Sequence, residues 1–431
     1  MTDTDSIECE LAVIGNGMAG MASALFGANR GLSTAQVGVT GQIIFASGLL
    51  DLLGVHPVAE KKLWQDPWSG IEALTREDPK HPYARIKRRE IEAAFDELIS
   101  FLKGEGLLYR RRNGQNSEMI MPLGTTKLTY CTPESMWGGV KALEERRPCL
   151  LVDFHGLNDF SATQIAETLK DRWPGLRSAR VIFPGNDQLR ELLAGENMAY
   201  TMELSKNRKQ LAQTVQPLIG DAQSIGMPAV FGMNRTDEII AELEKQVGVP
   251  IFEIPTLPVS IPGLRLNDTF VQGLLGKGVR RFSQKRVLKA YQEPGGGFIL
   301  DIGNNRVEKT VRAKGVILAS GRFWGRGLLA DRKRIREPIF NLPVHQPEGR
   351  KGWHHKDFLD LRGHPVNRAG LEIDDLFRPL DSSGAPAFER LFAAGSILAH
   401  QDWMRMKCGS GLAIGSAYAA VNAFLKMGTS G

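Results

Sequence analysis

Leu11-Ala12-Val13-Ile14-Gly15-Asn16-Gly17-Met18-Ala19-Gly20 is the stretch that decides the fold. Four apolar residues read as a short buried strand. A Gly-x-Gly-x-x-Gly turn follows, and residues 21–30 are small and apolar, as a tightly packed helix requires. Gly31 suits the end of that helix, and residues 35–39 read as a second strand. Strand, glycine turn, helix and strand open a dinucleotide-binding βαβ unit. Gly15 permits the sharp exit from the strand, Gly17 admits a phosphate to the backbone N–H groups, and Gly20 lets helix and sheet pack closely. The helix N-terminus adds partial positive charge and unpaired donors, with Met18 and Ala19 in its first turn.

The usual acidic partner is missing. Such a site normally carries Asp or Glu about 20 residues on, at the end of the second strand, to hold a ribose. Between Glu10 and Asp51 there is neither, and Val39-Thr40 occupies the place. Two readings stay open: FAD whose ribose uses Thr40, Gln42 or backbone groups, or FMN, which has no adenosine. Two later signals stand where a flavoprotein would carry them. Val316-Ile317-Leu318-Ala319-Ser320-Gly321 is a strand ending in glycine, and Leu391-Phe392-Ala393-Ala394-Gly395-Ser396 is another. Gly409-Ser410-Gly411 opens a small-residue helix over residues 412–427, whose N-terminus would face a flavin carbonyl. Each alone also reads as a buried strand or a glycine-started helix; their order after the first motif favours the cofactor.

Working outward, 431 residues suit two or three domains. Apolar residues at 42% and charged residues at 24% exclude disorder, collagen and coiled coil. A net charge of +6 is too small to imply nucleic acid. Cys9, Cys131, Cys149 and Cys408 are scattered, so an iron–sulfur cluster held by this chain alone is not expected. No run reaches the roughly 20 apolar residues of a membrane span. The middle carries a second α/β pattern. Strands are expected at Cys149–Phe154, 179–183 and 228–233, with a helix from Asp159 or Ser161 to Arg172 and another at Thr236–Val247. Pro255, Pro258 and Pro262 then break regular structure. Further strand segments are expected at 278–281, 298–301, 307–312 and 315–321, as the last third returns to the theme of the first.

Other candidates have plainer readings. His354-His355 lacks a carboxylate cluster at ligand spacing, and no metal site is expected. Cys408 suits a small buried filler better than a flavin neighbour, Asp402 and Arg405 read equally as contacts to a cofactor or partner and as a surface ion pair, and the basic runs 110–112 and 332–336 suit solvated faces. No Asp–His or Glu–His pair stands out as a general base.

Taken together the chain resembles the B-subunits of the anaerobic glycerol-3-phosphate dehydrogenases. The likeness rests on Gly15-Asn16-Gly17-Met18-Ala19-Gly20, Ser47-Gly48-Leu49-Leu50-Asp51-Leu52-Leu53, His81-Pro82-Tyr83, Pro122-Leu123-Gly124-Thr125 and Gly156-Leu157-Asn158-Asp159-Phe160. It continues through the proline-rich run from Pro255 to Leu266, Ala393-Ala394-Gly395 and Cys408-Gly409-Ser410-Gly411. The resemblance implies a complex that oxidises sn-glycerol 3-phosphate to dihydroxyacetone phosphate and passes electrons to quinone. It implies a catalytic sister subunit containing FAD, and FMN in this chain. It also implies an iron–sulfur subunit that ties the pair to the inner face of the cytoplasmic membrane.

The expected architecture is α/β: a Rossmann-like FAD/NAD(P)-binding domain of three ββα layers, residues 1–56 plus 310–431, with an inserted second α/β region, residues 57–309. The expected cofactor site is Gly15, Gly17, Met18, Ala19, Gly20, Thr40, Gln42, Ser47, Gly48, Gly321, Gly395, Ser396, Gly409, Ser410 and Gly411. The cofactor is FMN, with FAD as the alternative. The partners are the FAD-containing catalytic subunit and the iron–sulfur, membrane-anchoring subunit of the same complex, with no nucleic acid and only indirect membrane contact. A free-standing FAD oxidoreductase acting on a small hydroxy acid or phosphate ester, and a cofactor-free assembly protein, are the competing readings.

Overall fold

A computed structural model of the chain describes residues 6–39, 41–185 and 193–428. The chain divides into two compact units. One comprises Met1–Gln42, Asp51–Phe101 and Phe270–Gly431, the other Ile43–Leu50 and Leu102–Thr269.

The first unit is built on a seven-stranded sheet. The opening strand, Ser6–Ile14, is central: Thr34–Gly38 lies parallel on one side and Val307–Leu318 parallel on the other. Arg280–Ser283 extends the sheet beyond Thr34–Gly38, also parallel. Leu11, Ala12 and Val13 are fully buried, as a strand covered on both faces demands. Val307–Leu318 is longer than expected, a single strand where two segments were anticipated. Its first part pairs antiparallel with Phe298–Gly303, which pairs in turn with Arg286–Gln292. Its last residues pair with Leu391–Ala393 in parallel. The helices Met18–Asn29 and Gly409–Gly428 pack against one another, and their glycine, alanine and serine content permits that close approach.

The domain boundaries expected at 56 and 310 both fall inside this unit. Two kinds of contact put them there. The helix Pro67–Glu77 joins the unit through Gly70, where an added Cβ would meet Trp64 at 2.9 Å and Leu53 at 3.0 Å. The strands between Arg280 and Gly303 complete the first sheet instead of a separate one.

The second unit has its own four-stranded parallel sheet, in the order Ile251–Ile254, Ser224–Pro228, Cys149–Phe154, Leu176–Val181. Its core includes Leu151, Val152, Phe154, Trp173, Phe231 and Phe252. Ser161 caps the helix Ala162–Leu169, accepting the Gln164 N–H at 3.2 Å. Thr236–Val247 is helical, but Arg235, not Thr236 or Asp237, holds the N-cap position. The strand expected at 228–233 lies earlier, at Ser224–Pro228. Pro262 does not break structure: it sits in the first turn of the helix Ile261–Gly276, where a missing N–H costs nothing. Buried charges in this unit are paired and hydrogen-bonded. Arg265 meets Glu253 in two hydrogen bonds, of 2.6 and 2.9 Å, and donates to the Gly232 carbonyl. Asp153 accepts two from Arg180 and one from the Ala162 N–H.

Among the described residues no helix is long and apolar enough to cross a membrane.

Candidate functional site

The chain leaves the first strand at Ile14 and turns through the glycine motif. Gly15 has φ +137, and a Cβ there would lie 2.1 Å from the Ala319 carbonyl oxygen. A Cβ on Gly20 would lie 2.1 Å from the Gly15 oxygen. These two glycines are therefore required by backbone packing. Gly17 differs: nothing lies within 4 Å of its would-be Cβ. It is the N-cap of Met18–Asn29, with no side-chain cap and no acidic residue in the first turn. Space, uncapped N–H groups and the positive end of a helix dipole coincide there, which is what an anion needs.

Three residues not singled out from the sequence fix this turn. The Asn16 amide donates to the Gly38 carbonyl at 2.8 Å. Gln36, fully buried in the second strand, donates to the Gly15 carbonyl at 3.0 Å and accepts from Arg281 at 2.9 Å. Gly41 passes so close that a Cβ would lie 1.9 Å from the Asn16 oxygen. Among the described residues no carboxylate stands at the end of the second strand; the Asn16 and Gln36 amides make polar contacts there, with Arg281 donating to Gln36. Thr40 lies outside the described residues. Gln42 is exposed, at the start of the short turn Gln42–Phe45.

The late motifs converge on the early one. Gly395, with φ +79, faces the first turn of the Met18–Asn29 helix. Its N–H donates to Ser416 Oγ on the Gly409–Gly428 helix at 2.9 Å. Gly321, with φ +70, lies beside Ser396: its would-be Cβ is 3.6 Å from the Ser396 hydroxyl. The neighbouring Ser320 hydroxyl is buried without a hydrogen-bond partner, a polar atom available to a ligand. Gly15, Gly17, Met18, Ala19, Gly20, Gly321, Gly395 and Ser396 are thus brought together through direct neighbours.

The remaining expected residues are placed differently. The Gly411 N–H already donates to the Asp51 carbonyl at 2.6 Å, and Tyr83 Oη and Leu52 leave no room for a side chain. Gly409 is hemmed in by Trp403, at 2.9 Å from a would-be Cβ. Packing accounts for both glycines; Ser410 lies between them in the first turn of the helix. Ser47 and Gly48 belong to the second unit. There Gly48 has φ +80, would clash with Pro262, and accepts a hydrogen bond from Tyr109 Oη. That unit also holds a recess of about 80 Å³ beside Tyr109, Asp237 and Arg265, too small for a flavin.

Arg322 was not anticipated. It follows Gly321 directly and binds three backbone carbonyls, those of Ser396, Asn367 and Gln401. Burial pulls its pKa down to about 10, with Asp402 opposing the shift. It ties the exit of the long strand to the loop after Gly395. Asp402 caps the short helix Trp403–Met406 and pairs with Arg405 at 3.2 Å. Cys408 is fully buried and its thiol pKa is pushed up by that burial, which suits a filler. His354 and His355 both pack on His364.

A family model described as FAD binding domain matches residues 10–412. The chain is 31% identical to a probable B-subunit of the anaerobic glycerol-3-phosphate dehydrogenase of Halobacterium salinarum, over 96% of this chain and 97% of that one. The chain belongs to the FAD-binding-domain family, among the anaerobic glycerol-3-phosphate dehydrogenase B-subunits. The corresponding protein of Vibrio vulnificus is 27% identical over 96% of this chain and 95% of its own length. A 3-ketosteroid Δ1-dehydrogenase from Sterolibacterium denitrificans is similar in structure, with a TM-score of 0.44 and 11% identity, covering 97% of this chain and 100% of that one. The family is one of oxidoreductases, and its FAD description does not support FMN as the first choice of flavin.

Proposed function

We propose that this chain is a flavin-carrying member of a quinone-linked glycerol-3-phosphate dehydrogenase complex, and that its flavin is FAD. The observation that carries the proposal is the meeting of Gly395 with the first turn of the Met18–Asn29 helix, beside open space at Gly17. The B-subunit relatives support the substrate, and their naming as parts of a larger enzyme supports partners.

The uncapped N–H groups of Met18 and Ala19 would hold the cofactor's phosphates, with Gly17 leaving room for them. The Ser320 hydroxyl and the backbone at Gly321, Gly395 and Ser396 would border the rest of the flavin, with Arg322 keeping that loop in place. With no carboxylate after the second strand, an adenosine would be held by the exposed Gln42 amide and neighbouring backbone groups. When bound, a flavin accepts two electrons as a hydride and releases them one at a time. We assign the oxidation of sn-glycerol 3-phosphate to the complex as a whole. Its other members would be an FAD-containing catalytic subunit and an iron–sulfur subunit at the inner face of the cytoplasmic membrane.

The test is to purify the chain, denature it, and identify the released flavin by chromatography and mass. FAD supports the proposal. FMN keeps the flavoprotein reading and favours the view that the missing carboxylate marks a site without adenosine. Bleaching of the isolated chain's flavin by glycerol 3-phosphate would instead make it a free-standing oxidoreductase. Folded protein that takes up neither flavin would make it an assembly protein.

A further inference from the structure

Away from the glycine turn, one group of side chains has a donor set of its own. His345, Glu372 and His400 each offer one ligand atom, and these atoms lie within 4.8 Å of one another. Their backbone positions are fixed by a small ladder. His345 and Gly370 exchange two hydrogen bonds, of 2.8 and 3.0 Å. Leu371 donates to Ile397 and accepts from Ala399, both at 2.9 Å, and His400 donates to the Arg368 carbonyl at 3.0 Å. Gly370 has no room for a side chain: a Cβ would lie 2.4 Å from the Ile397 oxygen. His400 is held at φ +64, a conformation uncommon for a residue other than glycine.

The side chains are equally convergent. The His345 and His400 rings lie 4.2 Å apart, centroid to centroid, and His400 Nε2 is 2.8 Å from Glu372 Oε1. His345 and His400 both line a cavity of about 510 Å³. Two acidic neighbours on that wall are already engaged, Glu77 with His56 at 3.0 Å and Asp78 with Arg368. The competing cation is Lys80, whose ammonium lies 3.1 Å from the same Glu372 oxygen on a mostly exposed side chain.

Two imidazoles and one carboxylate, with one side open, is the donor set of His₂Glu zinc centres and of 2-His-1-carboxylate iron centres. We propose that His345, Glu372 and His400 form a binding site for a divalent first-row transition ion, with its open position on the cavity, where a water or small oxyanion would complete the coordination.

The full-length protein, stripped with chelator, is incubated with zinc or cobalt(II) alone and desalted, and its metal content is measured. One ion per chain is expected. His345→Ala and Glu372→Gln should each weaken binding by about tenfold or more, whereas Lys80→Ala should tighten it by freeing the carboxylate. His400→Asn, which tolerates the positive φ, removes the buried ligand while keeping the fold. Circular dichroism of each variant separates loss of ligand from loss of structure. No retained metal in wild type, or retention unchanged in both His345→Ala and His400→Asn, overturns the proposal. So does retention that falls only in His354→Ala, since the ion would then belong to the His354–His364 surface.

Discussion

Gly395 and Ala19 stand 376 residues apart in the chain, yet a Cβ on Gly395 would lie 2.5 Å from the Cβ of Ala19. Gly395 also needs its left-handed φ of +79. Gly395→Ala is therefore expected to cost about 2–3 kcal/mol and to displace the first turn of the Met18–Asn29 helix. Urea unfolding measures the first effect and retained flavin the second. Unchanged stability would show that the contact yields at no cost.

Gly17→Ala tests the same turn in the opposite sense. With open space around the new methyl and an ordinary negative φ, the cost should be the N-cap preference for glycine over alanine, about 1 kcal/mol or less. The methyl would occupy the place of a phosphate, so flavin affinity should fall by about tenfold or more. A folded variant that binds flavin as tightly as wild type would remove phosphate from this turn.

Arg322 is the third test. Replacing it with Met fills similar space but removes the donor to the carbonyls of Asn367 and Gln401, while Ser396 keeps only the Gln401 side-chain amide at 3.1 Å. The expected loss is about 2–5 kcal/mol. Lysine, lacking the guanidinium fork, should rescue only part of it, read as the denaturation midpoint.

His81 gives a pH test. It is fully buried, and its Nδ1 accepts the Tyr83 N–H at 3.2 Å. Burial first, and then the nearby Arg368, His56 and His400, lower its pKa from 6.5 to about 3. The unfolded chain thus takes up a proton below pH 6.5 that the folded chain refuses. Its contribution is fully present above pH 6.5 and is lost as pH falls towards 3, at up to about 1.4 kcal/mol per pH unit. His81→Asn keeps a carbonyl for the Tyr83 N–H and should flatten that part of the stability–pH curve. An unchanged slope would place the titrating group elsewhere.

The glycine motif was legible because each glycine meets a rule about backbone approach, and Leu11 to Ile14 could only be a buried strand. The late strands were legible for the same reason. What escaped was contact between distant residues. Arg322 looks like any surface arginine until the three carbonyls around it are known. Gln36 stands three positions before the place where a carboxylate was sought, and its amide holds the turn from within the strand. Gly409 and Gly411 were read as ligand-facing, but Trp403, Tyr83 and Leu52 explain them by packing. His345, Glu372 and His400 are separated by 27 and 28 residues, and no local spacing rule links such positions. The strands at 280–303 were assigned to the insertion because sequence order does not say which sheet a strand joins.

The central strand Ser6–Ile14 pairs with Val307–Leu318 in a register that sets Ser6 against Thr310 and Ile14 against Leu318. On the ribosome, the first strand emerges about three hundred residues before this partner. The second unit's sheet, ending at Ile254, can close well before then. The glycine turn, which leans on Ala319 and Gly395, is consequently among the last features to assemble during synthesis. Until the C-terminal strand arrives, an apolar edge waits exposed, which makes the nascent chain a natural client for chaperones.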